Sequence, residues 1–360
     1  MNTLEDRNNR IISAVLEKEK KLCPGAVALI GIYGSFQTGD IHPLSDLDLL
    51  ILINDERGRQ LETAFIQDDP GVGHDLYCTS WEDLRADART AHPHISKLMD
   101  AEIVYCADEK YRTELEKLRE QVRQELAEPF GAEDYQKAEE ERKEAECCYT
   151  KAMIAEGPDD VRYRAGIVIY HVENAVALLN KTYFRRGVKR RYEELDAMER
   201  RPEHLSEMID GILTARTADG VKESLTALMK SLDACLREAR QLIPKEKSPA
   251  SVETISGTYE EMFSNWHGKM AQAAESGDHH LAFMSLTSLN FMLQEISEEV
   301  DIKTYNAMSA YVPEDLHKTA ENTAAVLEDY LQEYRRAGIK EKRYADPDAF
   351  AAAYLGDEND

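Results

Sequence analysis

The stretch that decides the fold is Tyr33-Gly-Ser-Phe-Gln-Thr-Gly-Asp-Ile-His-Pro-Leu-Ser-Asp-Leu-Asp48, running on into Leu49-Leu-Ile-Leu-Ile53. Ahead of it, residues 27–33 are a short apolar run of the length expected for a buried strand. Gly34-Ser35 then turns the chain into a helix start. There a residue without a side chain lets phosphate oxygens approach backbone N–H groups, and the serine hydroxyl adds a donor. Nine residues later Ser45-Asp46-Leu47-Asp48 opens a second strand, residues 47–53. Asp46 and Asp48 stand at i and i+2, so both carboxylates point to one face. Aspartate is depleted in strands, and two side by side before an apolar run repel each other unless a cation sits between them. Hard oxygen ligands favour magnesium or manganese. Asp75, in Gly73-His-Asp-Leu-Tyr-Cys78, supplies a third acid if its strand pairs beside residues 47–53. Three carboxylates holding two cations about 4 Å apart make a site for in-line phosphoryl displacement.

Outward from this segment, residues 7–21 carry Ile11, Ile12, Val15 and Leu16 on one stripe and read as an amphipathic helix stopped by Pro24-Gly25. After Ile53, Asn54-Asp55 is turn chemistry. It is followed by a helix near residues 57–66, a strand over 73–78, a helix capped by Ser80 with Asp83 three residues on, and a strand over 102–106. From about residue 108 the alternating pattern disappears. Segments 110–126, 135–154, 161–183, 221–242, 259–274, 280–300 and 314–335 favour helix by residue type and length. The expected class is α+β: a small mixed-sheet domain over residues 1–108, then an all-helical region. The helical part divides into a bundle over 109–245 and a further region over 258–340, separated by a connection at 244–257. The acidic, Ala-rich tail over 346–360 is expected to fray.

Composition narrows the function. The 360 residues include 44 Lys plus Arg against 69 Asp plus Glu, a net charge of −25. Nonspecific grip on a phosphate backbone needs a basic surplus, so no nucleic-acid partner is expected. Apolar residues at 42% suffice for buried cores. The longest apolar stretch, residues 26–33, falls far short of the roughly 20 residues that cross a bilayer, and no membrane partner is expected. Met1-Asn-Thr-Leu-Glu-Asp-Arg7 lacks the basic start and apolar middle of a secretory signal, which predicts a cytoplasmic location. The six cysteines show no Cys-x-x-Cys pair and read as reduced core thiols.

Gly34-Ser35, the nine-residue gap, Ser45-Asp46-Leu47-Asp48, the apolar run behind it and the later Asp75 together resemble the nucleotidyltransferase signature of the DNA polymerase beta superfamily. The layout, a short catalytic domain followed by helices, is most similar to the antibiotic nucleotidyltransferases that adenylylate aminoglycosides or lincosamides. The motifs cover roughly residues 26–106. The resemblance implies a magnesium-dependent enzyme that moves a nucleoside monophosphate, most often AMP from ATP, to a hydroxyl of a small molecule and releases pyrophosphate. Asp46, Asp48 and Asp75 would hold two Mg2+ ions, Asp75 beside the acceptor. Gly34 and Ser35 would hold the phosphates of ATP or another nucleoside triphosphate. Residues 1–108 carry 10 basic and 19 acidic groups, a balance that favours a cationic acceptor such as an aminoglycoside-like antibiotic.

Many relatives have an arginine just after the Gly-Ser pair, where this chain has Phe36, Gln37 and Thr38. Charge for the triphosphate then has to come from elsewhere. Arg185-Arg-Gly-Val-Lys-Arg-Arg191, five basic residues in seven, is the anomaly in so acidic a chain, with Lys189 and Arg190 as the phosphate-binding candidates. A solvated basic helix end is the alternative. Glu173 interrupts an otherwise apolar helix face and is the candidate general base, provided the fold brings it near Asp75. His42 lies between the two motif halves and His74 beside Asp75; either could touch substrate, the alternative being a loop or sheet-surface histidine without a role. Two other readings stay open. Arg164 and His171 form an Arg-x6-His pattern similar to that of the helical partners of toxin-antitoxin nucleotidyltransferases, which would make a protein the acceptor. The other is a relative that binds nucleotide without turning it over.

Overall fold

The computed structural model describes residues 4–69, 71–244 and 247–356, and the chain divides into two compact units, Met1–Pro244 and Lys245–Asp360. In the first unit α1 (Leu4–Leu22) leads into β1 (Val27–Ile32), the short α2 (Ser35–Thr38) and β2 (Leu49–Ile53). β3 (Thr63–Gln67), β4 (Val72–Leu76), β5 (Cys78–Ser80), α3 (Trp81–Thr90), α4 (Ser96–Asp100) and β6 (Glu102–Cys106) complete the mixed α+β part. Four strands form one sheet in the order β5-β2-β1-β6, with β1 antiparallel to β2 and β6, and β2 parallel to β5.

β1 and β2 are buried on both faces, which is why they are continuous apolar runs and not alternating ones. On one face Ile30, Ile51 and Ile53 pack with Ile12 and Val15 of α1. On the other, Leu29, Leu50 and Leu52 pack with Leu84 of α3, Leu98 of α4 and Leu115 of α5 (Glu109–Ala127). Each such side chain contributes roughly 1.5–3 kcal/mol by burial. The central pair is therefore a firm mount for groups carried at its ends.

Two expectations are corrected here. Of residues 57–66, expected as helix, only Glu56–Leu61 forms a 3-10 turn, capped by the Asp55 carboxylate on the Arg57 N–H, and Thr63–Gln67 is a strand. The turn is pressed onto β2 so closely that a Cβ on Gly58 would come within 2.4 Å of Ile53 Cγ2, and Thr63, Phe65 and Ile66 beyond it favour a pleated surface. The strand expected over 73–78 is two strands. β4 pairs antiparallel with β3 in a ribbon of its own, and the chain joins the main sheet as β5 only from Cys78.

The rest of the unit is helical: α6 (Ala132–Ile154), α7 (Pro158–Leu179), α8 (Arg191–Asp196), α9 (Leu205–Thr214) and α10 (Ala218–Gln241). Val168, Val172 and Val176 of α7 share a core with Leu225, Leu228 and Leu232 of α10. Ala138, Ala145 and Ala152, spaced by seven on one side of α6, close that core.

The second unit contains β7 (Ser248–Pro249), α11 (Val252–Ile255), α12 (Thr258–Met262), α13 (Gly268–Ser276), α14 (His279–Glu299), β8 (Val300–Asp301), α15 (Leu316–Arg336) and α16 (Pro347–Gly356). The helix expected over 259–274 is interrupted by a π turn at Phe263–His267. Met262, Leu286, Leu293, Tyr330 and Leu331 belong to its core. The tail expected to fray holds α16, while positions 357–360, and 245–246 of the connection, lie outside the described residues. All six cysteines are free, but only Cys23 and Cys78 are buried and Cys147 is exposed, so the core-thiol reading holds in part. No described helix is long and apolar enough to cross a membrane.

Candidate active site

Gly34 lies at the end of β1 with φ +67°, a conformation that disfavours any L side chain, and serves as the cap of α2. A Cβ on Gly34 would also stand 1.9 Å from Asp48 Oδ2. The absent side chain is thus the space the Asp48 carboxylate occupies. That carboxylate accepts a hydrogen bond from the Ser35 backbone N–H, and the Tyr33 N–H donates to the Asp48 carbonyl at 3.1 Å. Asp46 and Asp48 alternate with the buried Ser45 and Leu47 on the lead-in to β2, which places the two acids on one side.

Asp75 belongs to the β3-β4 ribbon, opposite Ala64. Its strand does not pair with β2 at that point, which corrects the simplest expectation. The parallel ladder nevertheless runs Ile51 to Cys78, Leu52 to Thr79 and Ile53 to Ser80. β4 leads into β5 through Tyr77, so Asp75 stands three residues before the first paired residue of that ladder. The electrostatics link the three acids. The Tyr33 phenol is pushed up to about 12 by burial and then by Asp48, Asp46 and Asp75 in turn, so all three carboxylates act on one hydroxyl.

The electrostatics of the pair ask for a cation. Burial, and then the charge of Asp46, push Asp48 up to about 6, against the Ser35 hydrogen bond and the positive charge of Lys189. Among the described residues no group of three or more His, Cys, Asp or Glu side chains is gathered tightly enough to hold a metal by itself. The donors that are present fit a hard divalent cation with bound phosphate: two adjacent carboxylate side chains, an exposed third, and a Ser35 Oγ that is buried without a partner.

Arg7 is a contributor that the sequence reading missed. It is buried, donates to the Ser45 carbonyl at 2.8 Å and to Asn8 Oδ1, and burial lowers its pKa against the opposing charge of Asp46. It thereby anchors the backbone that presents the acid pair. It is among the buried residues of α1, four residues before Ile11, where an arginine by itself gives no signal of that contact. His74 is buried and stacked on Phe65 at 5.0 Å, and burial lowers its pKa. His42 Nδ1 accepts from the Leu44 N–H within its own turn.

The basic run approaches the Gly-Ser turn. Arg185 and Arg186 line a cleft of about 340 Å³ together with Gly34, Gln37, Thr38, Ser96 and Asp100. The Glu194 carboxylate, accepting from the backbone N–H groups of Arg185 and Arg186 at 2.8 and 3.2 Å, fixes this loop. Of the two residues singled out, Lys189 acts on Asp48 by its charge, and Arg190 is engaged by Asp40 at 2.9 Å and Glu193 at 2.7 Å. Glu173 pairs with Arg191 at 3.3 Å, with the guanidinium over the Phe184 ring at 3.6 Å, and burial pushes this carboxyl up to about 7. Arg164 is paired with Asp160 and His171 with Glu141 at 2.6 Å. His171 and Glu141 line a larger cavity of about 780 Å³, whose wall mixes four glutamates with Arg89, Lys137 and Lys143.

Residues 9–128 match the family model described as nucleotidyltransferase domain. The chain therefore carries a nucleotidyltransferase-superfamily domain and is an enzyme of the transferase class. Gly34, Ser35, Asp46, Asp48, Asp75 and Asp100 all fall inside the matched residues, whereas Glu173 and the basic run fall outside. Among solved structures, the chain is similar to a nucleotidyltransferase-like protein from Exiguobacterium sibiricum 255-15, at 10% identity over 74% of this chain and 90% of that one, with a TM-score of 0.32. No curated protein matches the chain at a significant level.

Proposed function

We propose that this protein transfers a nucleoside monophosphate, AMP from ATP, to a hydroxyl of a small molecule and releases pyrophosphate. The observation that carries the reading is the contact of the Asp48 carboxylate with Gly34, beside Asp46, with Asp48, Asp46 and Asp75 all acting on the Tyr33 hydroxyl and with Arg185 and Arg186 on the same cleft as Gly34. Asp46, Asp48 and Asp75 would hold two Mg2+ ions. When bound, those ions supply Lewis acidity to the phosphates and to the attacking hydroxyl. Gly34 leaves the Asp48 carboxylate its place against the turn, and the unpartnered Ser35 Oγ donates to a phosphate oxygen. Arg185, Arg186 and Lys189 offset the charge of the triphosphate and of the departing pyrophosphate, while Arg190 holds the segment between Ser35 and Ser45 through Asp40. Asp75, exposed in its ribbon, faces the acceptor.

For the proton of the acceptor, Glu173 is the group to test. A carboxyl near 7 is matched to base work at neutral pH, and its pairing with Arg191 has to be shared or opened for that role. The acceptor to try first is an aminoglycoside, since the acid-rich domain attracts cations. The larger cavity adds little to that preference, because its glutamates are mostly offset by basic neighbours.

The test is a pyrophosphate-release screen of ATP, GTP, CTP and UTP with aminoglycosides and lincosamides. The Asp46→Asn and Asp48→Asn proteins should be folded and lose at least about 100-fold in rate. A rate retained in Asp46→Asn sinks the assignment. Label from ATP appearing on protein, and not on a small molecule, would favour the protein-modifying reading.

A further inference from the structure

Asp100 closes α4 at the rim of the cleft that holds Gly34, Arg185 and Arg186. One carboxylate oxygen, Oδ1, accepts from the hydroxyl of the buried Tyr183 at 3.0 Å and lies 4.0 Å from Arg185 Nε. The other, Oδ2, is buried and has no hydrogen-bond partner. The turn that carries it is held in place, since the buried Arg119 donates to the carbonyls of Leu98 and Ala101 on either side. A fixed carboxylate oxygen without a donor is a costly feature to keep, and it calls for a ligand that brings one. Phosphate cannot, because its oxygens are acceptors and carry like charge. Along a nucleotide, the ribose is the group that follows the phosphates, and it offers two hydroxyl donors.

We propose that Asp100 Oδ2 accepts a hydrogen bond from a ribose hydroxyl of the nucleoside triphosphate, so that Asp100 selects ribonucleotides over deoxyribonucleotides. The inference rests on the cleft being the nucleotide site, as argued above. Carboxylates that read a ribose hydroxyl are known chemistry in dinucleotide sites, and Arg185 and Arg186 on the same cleft serve the phosphates in place of Asp100. Tyr183 and Arg185 act as positioning residues, holding one oxygen and leaving the other without a partner.

Equilibrium binding to the full chain with Mg2+ present, using ATP, 2′-dATP, 3′-dATP and ITP, tests this without any acceptor. The wild type is expected to bind ATP about 10- to 100-fold more tightly than one of the two deoxy analogues, the worth of one charge-assisted hydrogen bond, and to bind ITP like ATP. Asp100→Leu, of similar size and without an acceptor, should shrink that ratio to near one while still binding ATP. Equal binding of ATP and both deoxy analogues by the wild type overturns the proposal even if the variant does not fold. So does a ratio kept in Asp100→Leu, or a loss seen with ITP alone, which would hand the donor to the base amine. Binding of none of the four nucleotides would overturn the nucleotide-site reading with it, whereas equal binding of all four overturns only the role of Asp100.

Discussion

At Gly34 two constraints meet: a left-handed backbone and a carboxylate occupying the place of a side chain. Gly34→Ala should therefore cost about 1–3 kcal/mol in urea melts and at least about 100-fold in nucleotide-dependent pyrophosphate release, because Asp48 is displaced from its productive position. The glycine, the serine and the acid pair were legible as a spacing, but that glycine and aspartate touch was not, since they are far apart in sequence. Asp48 carries a pH signature of its own. Its folded value near 6 lies above the ordinary carboxylate value near 4, so between those limits the folded metal-free protein binds more protons than the unfolded chain, and stability falls as pH rises. The effect is complete above about pH 6, and solvent screening limits it to about 1–2 kcal/mol. Melting the metal-free protein from pH 5 to 7.5 should show this loss relative to Asp48→Asn, and Mg2+ at pH 7.5 should restore it. An identical pH dependence in the two proteins would show that the shift is absent.

Among the elements, the loop from Arg185 to Arg191 departs most from what its composition suggested. Lys189 and Arg190 read as the phosphate-binding candidates of a five-residue basic run, yet the residues of the run divide their work. Arg185 and Arg186 face the cleft, Arg190 ties to Asp40, and Arg191 is held by Glu173 and Phe184. Replacing Arg185 and Arg186 together by Ala should raise the KM for the nucleoside triphosphate about 10- to 100-fold with a smaller change in kcat, as initial rates would reveal. Arg190→Ala should leave nucleotide KM within about threefold, because its charge is already offset by Asp40, whereas the Glu193 carboxylate is shared between Arg190 and Arg186. Equal KM effects of the two changes would mean that the division of work is wrong. The β3-β4 ribbon is the other element composition did not reveal. A helical reading of residues 57–66 missed that Gly58 is pressed on β2 and that the strand formers beyond it need a partner, which β4 supplies.

For the whole molecule, the two units have separate cores. The site groups from Arg7 to Arg191 all belong to the first. A chain ending after Pro244 should fold cooperatively and bind nucleotide with an affinity within about threefold of the full chain, since buried apolar area, not chain length, supports a core. Circular dichroism and nucleotide titration of that truncation would decide it, and an unfolded product would show that the first unit depends on the second.

What the sequence by itself determined is local: the Gly34-Ser35 turn, the alternation that puts Asp46 and Asp48 on one side, the two doubly buried strands and the long helices. Each depends on spacing within one element, where backbone geometry repeats every two or 3.6 residues. Only the tertiary structure decided that Asp75 is carried by a separate ribbon, and that Arg7 anchors Ser45 from a helix at the start of the chain. The same is true of Asp100, which meets Tyr183 and Arg185 at the cleft. Those contacts join residues distant in sequence, and burial, charge neutralisation and hydrogen-bond satisfaction select them only when the elements are packed together.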